Sequence, residues 1–596
     1  MIEFVWRSDQ VAYLCNSGNK KLIKMFLIRL YIFSILIFNN IFDYPEDRSI
    51  FISPVKIPLL LSANFGELRV DHFHSGIDIK TQGATGKEIV AAADGHIYRI
   101  GVSPGGFGKA LYVKHPSGYS TVYAHLDRFT PEIEEYVREY QYEKKSFLAT
   151  LFPSRDKFPV KQGQLIAYSG NSGSSGGPHL HYEIRETEGE KPVNPLLFDF
   201  GTGDNIAPVI EKLFIYPANS NTLINNQNKI KKINLSGGHG TYFISPEEEI
   251  SISGPGGFGI KAFDLLNDSY NRCAVNSIEL AIDSVTIFRY VMEKFSFNES
   301  RYINSHIDYE TYMRDKIYVE RTFKLPNDKL SVYKHLVNRG IYNFNDNQLH
   351  HAEITVTDIH NNKSVLTFNI KAEDQIRKYS EIPAGRNLRV MPYNRSNDFT
   401  TDDISVSIPN GALYDTINFS YNRIHGTSEM LSDLHEVHNK YTPVHKAFTL
   451  SIKPDSVPVG KELKKMIVRL DDDRKSAINS KWSDGYMVGE MLSFGKFYVG
   501  ADTVPPVISA NGLVSGINLT GKKELRMKIT DDFSGIKLYE PSIDGEWALF
   551  EYDPKNNLLL YRFDSKRIKK GTKHSLSMKV TDNKDNSSFF SADFTW

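Results

Sequence analysis

From Phe51 to the end of the chain, apolar and polar residues alternate in short runs, and Gly, Asn, Asp and Pro interrupt them every few positions. A period of two puts one face of a segment in a core and the other in water, and the interrupting residues supply the turns between such segments. Residues 89–91 before Asp94-Gly95, 110–114 before Pro116-Ser117-Gly118, and 165–168 before Gly170-Asn171 all follow the pattern. The fold class this predicts is mainly β. One stretch departs from it. Residues 131–151 (PEIEEYVREYQYEKKSFLATL) follow Thr130, begin with a proline suited to a first helical turn, and place Ile133, Tyr136, Val137 and Tyr140 at helical spacing. A helical insertion between strands is expected over about 130–159.

At 596 residues the chain is too long for one core, and roughly four domains are expected at about 150 residues each. The β texture divides it at 44–200, 204–380, 385–500 and 501–596. Two of these regions echo one another. Asp204-Asn205-Ile206-Ala207-Pro208-Val209-Ile210 resembles Asp502-Thr503-Val504-Pro505-Pro506-Val507-Ile508, and Val356-Thr357-Asp358 through Asn362 resembles Val580-Thr581-Asp582 through Asn586. A proline-marked opening strand and a closing strand ending in an Asp/Asn turn suit the edges of immunoglobulin-like β-sandwiches.

Ahead of this lies a different texture. Residues 30–38 (LYIFSILIF) are uncharged and almost wholly apolar, and Lys20, Lys21, Lys24 and Arg29 precede them. A basic stretch before so short an apolar run reads as a signal peptide or targeting segment over 1–43, and it is too short to span a bilayer. Export to the periplasm or cell envelope of a bacterium, with no stable membrane span in the mature chain, is the expectation; a buried strand is the other reading of the run. The chain has two cysteines, Cys15 and Cys273, which excludes a disulfide scaffold and cysteine-held metal sites. Lys plus Arg number 71 and Asp plus Glu 71, so no net positive charge offsets phosphate repulsion and a general nucleic-acid binder is excluded.

Any metal must therefore be held by histidine and carboxylate. His74-Ser75-Gly76-Ile77-Asp78 sets an imidazole and a carboxylate an even number of residues apart, and Pro178-His179-Leu180-His181-Tyr182-Glu183 sets two histidines at i and i+2. On strands each pair shares a face. His74, Asp78 and His181 together offer two nitrogens and an oxygen with a fourth tetrahedral position open, which is how catalytic zinc is held. His179 then serves either as a further ligand or as a base on the substrate side. His125, in Tyr123-Ala124-His125-Leu126, is a further candidate for proton transfer or oxyanion support.

In this order, HxGxD, YAHL and GPHLHYE resemble the lysostaphin-type (LytM-like) zinc endopeptidases. Asn64-Phe65-Gly66, residues 91–95 (AAADG), Phe107-Gly108, Gly163-Gln164, Gly170-Asn171-Ser172-Gly173 and Asn194-Pro195 add to the likeness, which covers about residues 62–198. The resemblance implies an antiparallel β-sheet peptidase domain with one Zn2+ per chain on His74, Asp78 and His181. It makes His125 and His179 the catalytic histidines and the peptide cross-links of peptidoglycan the substrate. The insertion after His125 departs from the family's usual short loop. A catalytically inactive homologue that binds cell wall or activates another hydrolase is the alternative reading; loss of a ligand would favour it, and all three are present. The D-Ala-D-Ala carboxypeptidases, which also end in an HxH-like pair, have a longer first His-to-Asp spacing.

Other residues receive plainer readings. His72 is taken as a wall residue of the groove. His96 and His115 lie near turn signals and read as surface or packing residues, with a place along the cleft as the other reading for His115. His435, His438 and His445 read as structural, and Asp531-Asp532 and residues 582–586 as hairpin turns in preference to a calcium site. Trp482, Tyr486, Trp547 and Tyr552 read as core, with glycan or partner contact as the alternative. Nothing after Pro195 repeats a catalytic pattern, so residues 204–596 are expected to place the enzyme in the envelope, with an envelope protein as a possible partner.

Overall fold

The computed structural model describes residues 45–374, 389–455, 464–510 and 512–596; the expected targeting segment at 1–43 lies outside the described residues. The first region is built on β1 (Leu61–Ala63), β2 (Ile77–Lys80), β3 (Gly95–Val102), β4 (Lys109–Lys114), β5 (Tyr119–Phe129), α1 (Pro131–Lys144), β6 (Leu165–Ser169) and β7 (His179–Glu186). The principal strands run in the order β1-β2-β7-β5-β4-β3, every neighbouring pair antiparallel, within an eleven-stranded sheet. Alternation explains β7: Leu180, Tyr182 and Ile184 are fully buried on one face, each contributing about 1.5–3 kcal/mol of apolar burial. His179, His181, Glu183 and Arg185 are left on the other face.

Gly76 is demanded by packing at the start of β2. A Cβ there would lie 2.3 Å from the Tyr182 carbonyl oxygen and 2.8 Å from Glu183 Cγ. Gly76→Ala is therefore expected to push β2 off β7 and to cost about 1–3 kcal/mol, read as a fall in the denaturant midpoint; an unchanged midpoint would mean that the sheet yields at no cost.

The helical excursion is shorter than its sequence pattern. α1 stops at Lys144, where Lys145 takes a left-handed conformation. Ala149–Leu151, expected within the helix, instead pairs with β3 as a strand. Ile133, Val137 and Gln141 are buried, and Glu134 accepts the Phe129 N–H at 3.0 Å at the helix start.

The rest of the described chain is also β. Residues 209–372 form a fourteen-stranded sheet, with short helices at Ile303–His306 and Tyr309–Asp315. Residues 397–501 form two five-stranded sheets that share a core including Val406, Leu450, Ile467 and Phe497. The last region packs a four-stranded sheet on a five-stranded one over Met527, Phe550, Leu576 and Phe594. Among the described residues no helix is long and apolar enough to cross a membrane. Cys273 is buried and free.

Each region contacts its neighbours through specific groups. Phe65 and Phe73 of the first region join the core of the second, and Asn64 exchanges two side-chain hydrogen bonds with the Ala274 backbone, each 2.8 Å. Asn327 Nδ2 donates to the Leu413 carbonyl at 2.7 Å, and His445 stacks on Tyr302 at 3.9 Å. Lys464 Nζ donates to the Lys584 carbonyl at 2.6 Å, and Lys584 Nζ to that of Lys465 at 2.7 Å. Finally the last region meets the first: Glu551 pairs with the buried Lys109 at 3.0 Å, Asp564 with Arg138 at 3.4 Å, and Trp547 packs edge-on against Tyr142. Lys555 Nζ donates to the carbonyls of Asn171 and Gly173.

Candidate metal centre

β2, β7 and β5 lie side by side, and their register assembles the site. His181 stands opposite Asp78 on one side and opposite Ala124 on the other. His125, next to Ala124, sits at a bulge. Lys109 faces Leu126 but Leu111 faces Tyr123, so two residues of β5 oppose one of β4. His125 there adopts φ 59°, a left-handed conformation that costs a side chain of this kind about 1–2 kcal/mol. Its N–H donates to the Phe107 carbonyl at 2.9 Å, which holds the bend. The bulge turns the His125 ring to within 4.8 Å of His179 and 5.8 Å of His181, centroid to centroid.

His74 Nε2, Asp78 Oδ1 and His181 Nδ1 form a tight triangle. The edges are 3.0 Å for His74–His181, 3.0 Å for His74–Asp78 and 2.8 Å for His181–Asp78. All three residues are buried. The partners of the other ring nitrogens fix the tautomers. His74 Nδ1 faces the Asn64 carbonyl at 2.7 Å, and His181 Nε2 faces the Glu183 carboxylate at 2.9 Å. Both partners only accept, so these nitrogens carry the protons. His74 Nε2 and His181 Nδ1 therefore present lone pairs to each other and to a carboxylate oxygen. Three lone pairs so close need a positive charge among them, and the edges approach the ~3.3 Å set by tetrahedral zinc bonds of 2.0–2.1 Å. The donor set fits zinc.

The surrounding charges agree with that demand. Burial by itself raises the Asp78 carboxyl, but the positive charge that the facing His74, His179 and His181 imidazoles can take up holds it far below the usual carboxylate range. Arg69 Nη2 binds the second Asp78 oxygen at 2.8 Å. Burial alone would lower the His181 imidazole, yet the Asp78 and Glu183 carboxylates on its two sides push it up to about 9, so they draw positive charge toward this ring. Glu183 is itself fully buried, bonded by Arg185 Nε at 2.6 Å and by the Ser75 hydroxyl at 2.5 Å. Carboxylates placed in this way orient a ligating imidazole and raise its basicity.

His125 and His179 stand beside the triangle with their own anchors. His125 Nδ1 donates to the Ser172 carbonyl and His179 Nδ1 to that of Gly177, both at 2.9 Å, leaving each Nε2 free to accept a proton. His179 Nε2 is 3.5 Å from Asp78 Oδ1. Burial, then the neighbouring His181 and His179, push the His125 imidazole down to about 3, so it is neutral at physiological pH. Phe107 stacks on His181 at 5.3 Å and closes that side.

All five residues singled out from the sequence thus converge. His115 does not. It is buried, with Nδ1 on the Asp94 carbonyl at 2.9 Å and Nε2 on Thr121 Oγ1 at 2.8 Å, so it packs and does not line a cleft. His72 is exposed and bonds locally to the Val70 carbonyl. His435, His438 and His445 are spent on Tyr421, Thr442 and the Tyr302 ring, as packing residues are. Sequence reasoning missed Glu183 and Arg185, although they continue the His179, His181 alternation on the same face of β7. It also missed the roles of Arg69, in a two-residue strand too short to show periodicity, and of Ser172, which acts from a loop.

Residues 72–142 and 152–195 match Peptidase family M23, and residues 388–502 match a Zu5-like domain. An uncharacterized metalloprotease of Haemophilus influenzae is 32% identical over 143 residues, 24% of each chain. The DD-carboxypeptidase/endopeptidase Mpg of Neisseria meningitidis is 35% identical over 123 residues, 21% of this chain and 22% of its own. The murein hydrolase activator NlpD of Escherichia coli is 35% identical over 125 residues, 21% of this chain and 26% of its own. The chain spans about a quarter of the length of these relatives. The region that carries the His74–Asp78–His181 triangle is accordingly a Peptidase family M23 domain of the lysostaphin type, and a Zu5-like domain follows it.

Proposed function

We propose that the chain is a zinc-dependent endopeptidase that hydrolyses the peptide cross-links of bacterial peptidoglycan after export to the envelope. The observation that carries this reading is the triangle of lone pairs on His74, Asp78 and His181, flanked by two further histidines whose Nε2 atoms are free. In this reading His74 Nε2, Asp78 Oδ1 and His181 Nδ1 hold one Zn2+, which when bound supplies Lewis-acid activation of water and of the scissile carbonyl. The protein's own groups do the rest. Glu183, with Arg185 and Ser75 behind it, holds His181 in the ligating tautomer, and Asn64 does the same for His74. His125 and His179 accept and return a proton at Nε2 and donate toward the oxyanion, each oriented by a backbone carbonyl.

The names of Mpg and NlpD support peptidoglycan as the common setting. They also support two roles, since one is an endopeptidase and the other an activator of hydrolases. The intact donor set and both flanking histidines favour the enzyme. The test is a digest of purified sacculi with the zinc-loaded full chain, followed by mass analysis of the soluble products. New amino and carboxyl termini within the cross-link are expected. Release of no peptide, together with faster digestion by an added hydrolase, would make the chain an activator.

A further inference from the structure

Two regions far apart in the sequence place carboxylates in the same way. Val209 pairs with Phe263 and Val507 pairs with Thr530, so Asp264 and Asp531, each one residue further on, hold equivalent positions. Asp204 and Asp502 lie equally far before those valines, and Asp358 and Asp582 each follow a threonine near the end of a strand. The hydrogen bonds repeat too. Asn362 Nδ2 donates to the Asp204 carbonyl at 3.2 Å and to Asp358 Oδ2 at 2.7 Å; Asn586 Nδ2 does the same to Asp502 and Asp582 at 3.2 and 2.7 Å.

The two clusters differ in what remains unsatisfied. In the last region, Asp502 and Asp531 take backbone N–H groups of Val504, Ser534, Phe533 and Gly535, and Lys584 stands two residues after Asp582. In the second region that position is His360, and three polar atoms have no partner: Asp264 Oδ1, Asp204 Oδ2 and His360 Nδ1. Asp264 is 1% exposed. His360 donates Nε2–H to the Thr202 carbonyl at 2.7 Å, so its bare Nδ1 is a lone pair. Asp204, Asp358 and His360 each bring a donor atom within 4.8 Å of the others. Asp264 lies beside Asp358 and Asp204, whose charges act on it more than any others. Buried oxygens are rarely left without a partner, and a cluster of them beside like charges calls for a cation.

We infer that Asp204, Asp358 and His360 hold a divalent metal cation, with the buried, unpartnered Asp264 as an outer partner beside them, at a site separate from the His74–Asp78–His181 centre. Two carboxylates and one imidazole nitrogen suit Mn2+ or Zn2+ better than Ca2+, which takes oxygen ligands only. The site would pin the Asp204 strand entry to the Asp358 turn, a structural duty with no part in peptide hydrolysis.

The test uses the full chain, stripped with a chelator and titrated with Mn2+ while its melting temperature is followed. A rise with Mn2+ is expected in the unaltered chain and in His181→Ala, where the other centre is broken. Asp264→Asn should abolish the rise or shift the half-saturating concentration upward by about tenfold or more, since even outer partners of a metal are worth 10–100-fold. A rise that survives unchanged in Asp264→Asn, or that vanishes in His181→Ala, overturns the inference. Should Asp264→Asn fail to fold, His360→Ala carries the test: an upward shift in half-saturation supports the site, and an unchanged titration overturns it. No response to Mn2+, Zn2+ or Ca2+ in the unaltered chain also overturns it.

Discussion

His181→Ala is expected to empty the proposed zinc site and to bring cross-link cleavage down to background. The residue has two duties at once. Its Nδ1 is one corner of the triangle, 2.8 Å from Asp78 Oδ1, and its Nε2–H satisfies a fully buried Glu183. Removing it leaves two ligands where catalytic zinc needs three, and leaves the Glu183–Arg185 pair to reorganise around a vacated ring. Metal analysis of the purified variant should show zinc far below one per chain while its circular dichroism remains that of a β protein. Full zinc occupancy in that variant would remove His181 from the ligand set.

His125→Ala is expected to behave differently, keeping its zinc while losing about 10²–10⁴-fold in turnover, the usual range for a positioned acid–base group. The separation follows from geometry. His125 contributes no corner of the triangle, and its ring is 5.8 Å from that of His181, so metal affinity should not register its loss. Two measurements on one preparation, zinc content and peptide release from sacculi, decide it. Cleavage at the unaltered rate would give the proton-transfer role to another group, with His179 the nearest.

The part of this site legible in the sequence is the part that depends on regular backbone. Alternation on β7 placed His179 and His181 on one face, and the short spacing through Gly76 brought His74 to Asp78. What alternation does not encode is register between distant strands, so the meeting of β2, β7 and β5 came from the resemblance and not from periodicity. The bulge at His125 is invisible to a period of two because it consists of one extra residue. The helix was recognised from its cap and spacing, but its end was not, because Ala149–Leu151 gains a strand partner in β3 that no local pattern announces. Asp531-Asp532 and residues 582–586 read as turns in preference to a calcium site; only the strand pairing that aligns Asp264 with Asp531 reveals how such acidic residues converge in two regions.

The contacts among the four β regions have a topological consequence. First to second, second to third, third to fourth and fourth back to first, they close a ring. Regions joined only end to end, as a thread of modules, would tolerate the gain or loss of one. A ring does not, because a module added or deleted in the middle would carry Glu551 and Lys555 away from Lys109 and from the Asn171–Gly173 segment. Within the ring each remaining interface holds the partners of a broken one at high effective concentration, so a single severed contact reseals instead of releasing a domain. The seam closes on the segment whose Ser172 carbonyl aims His125. The last described region thus touches the segment that orients His125, and closure of the ring constrains the number of modules between the two.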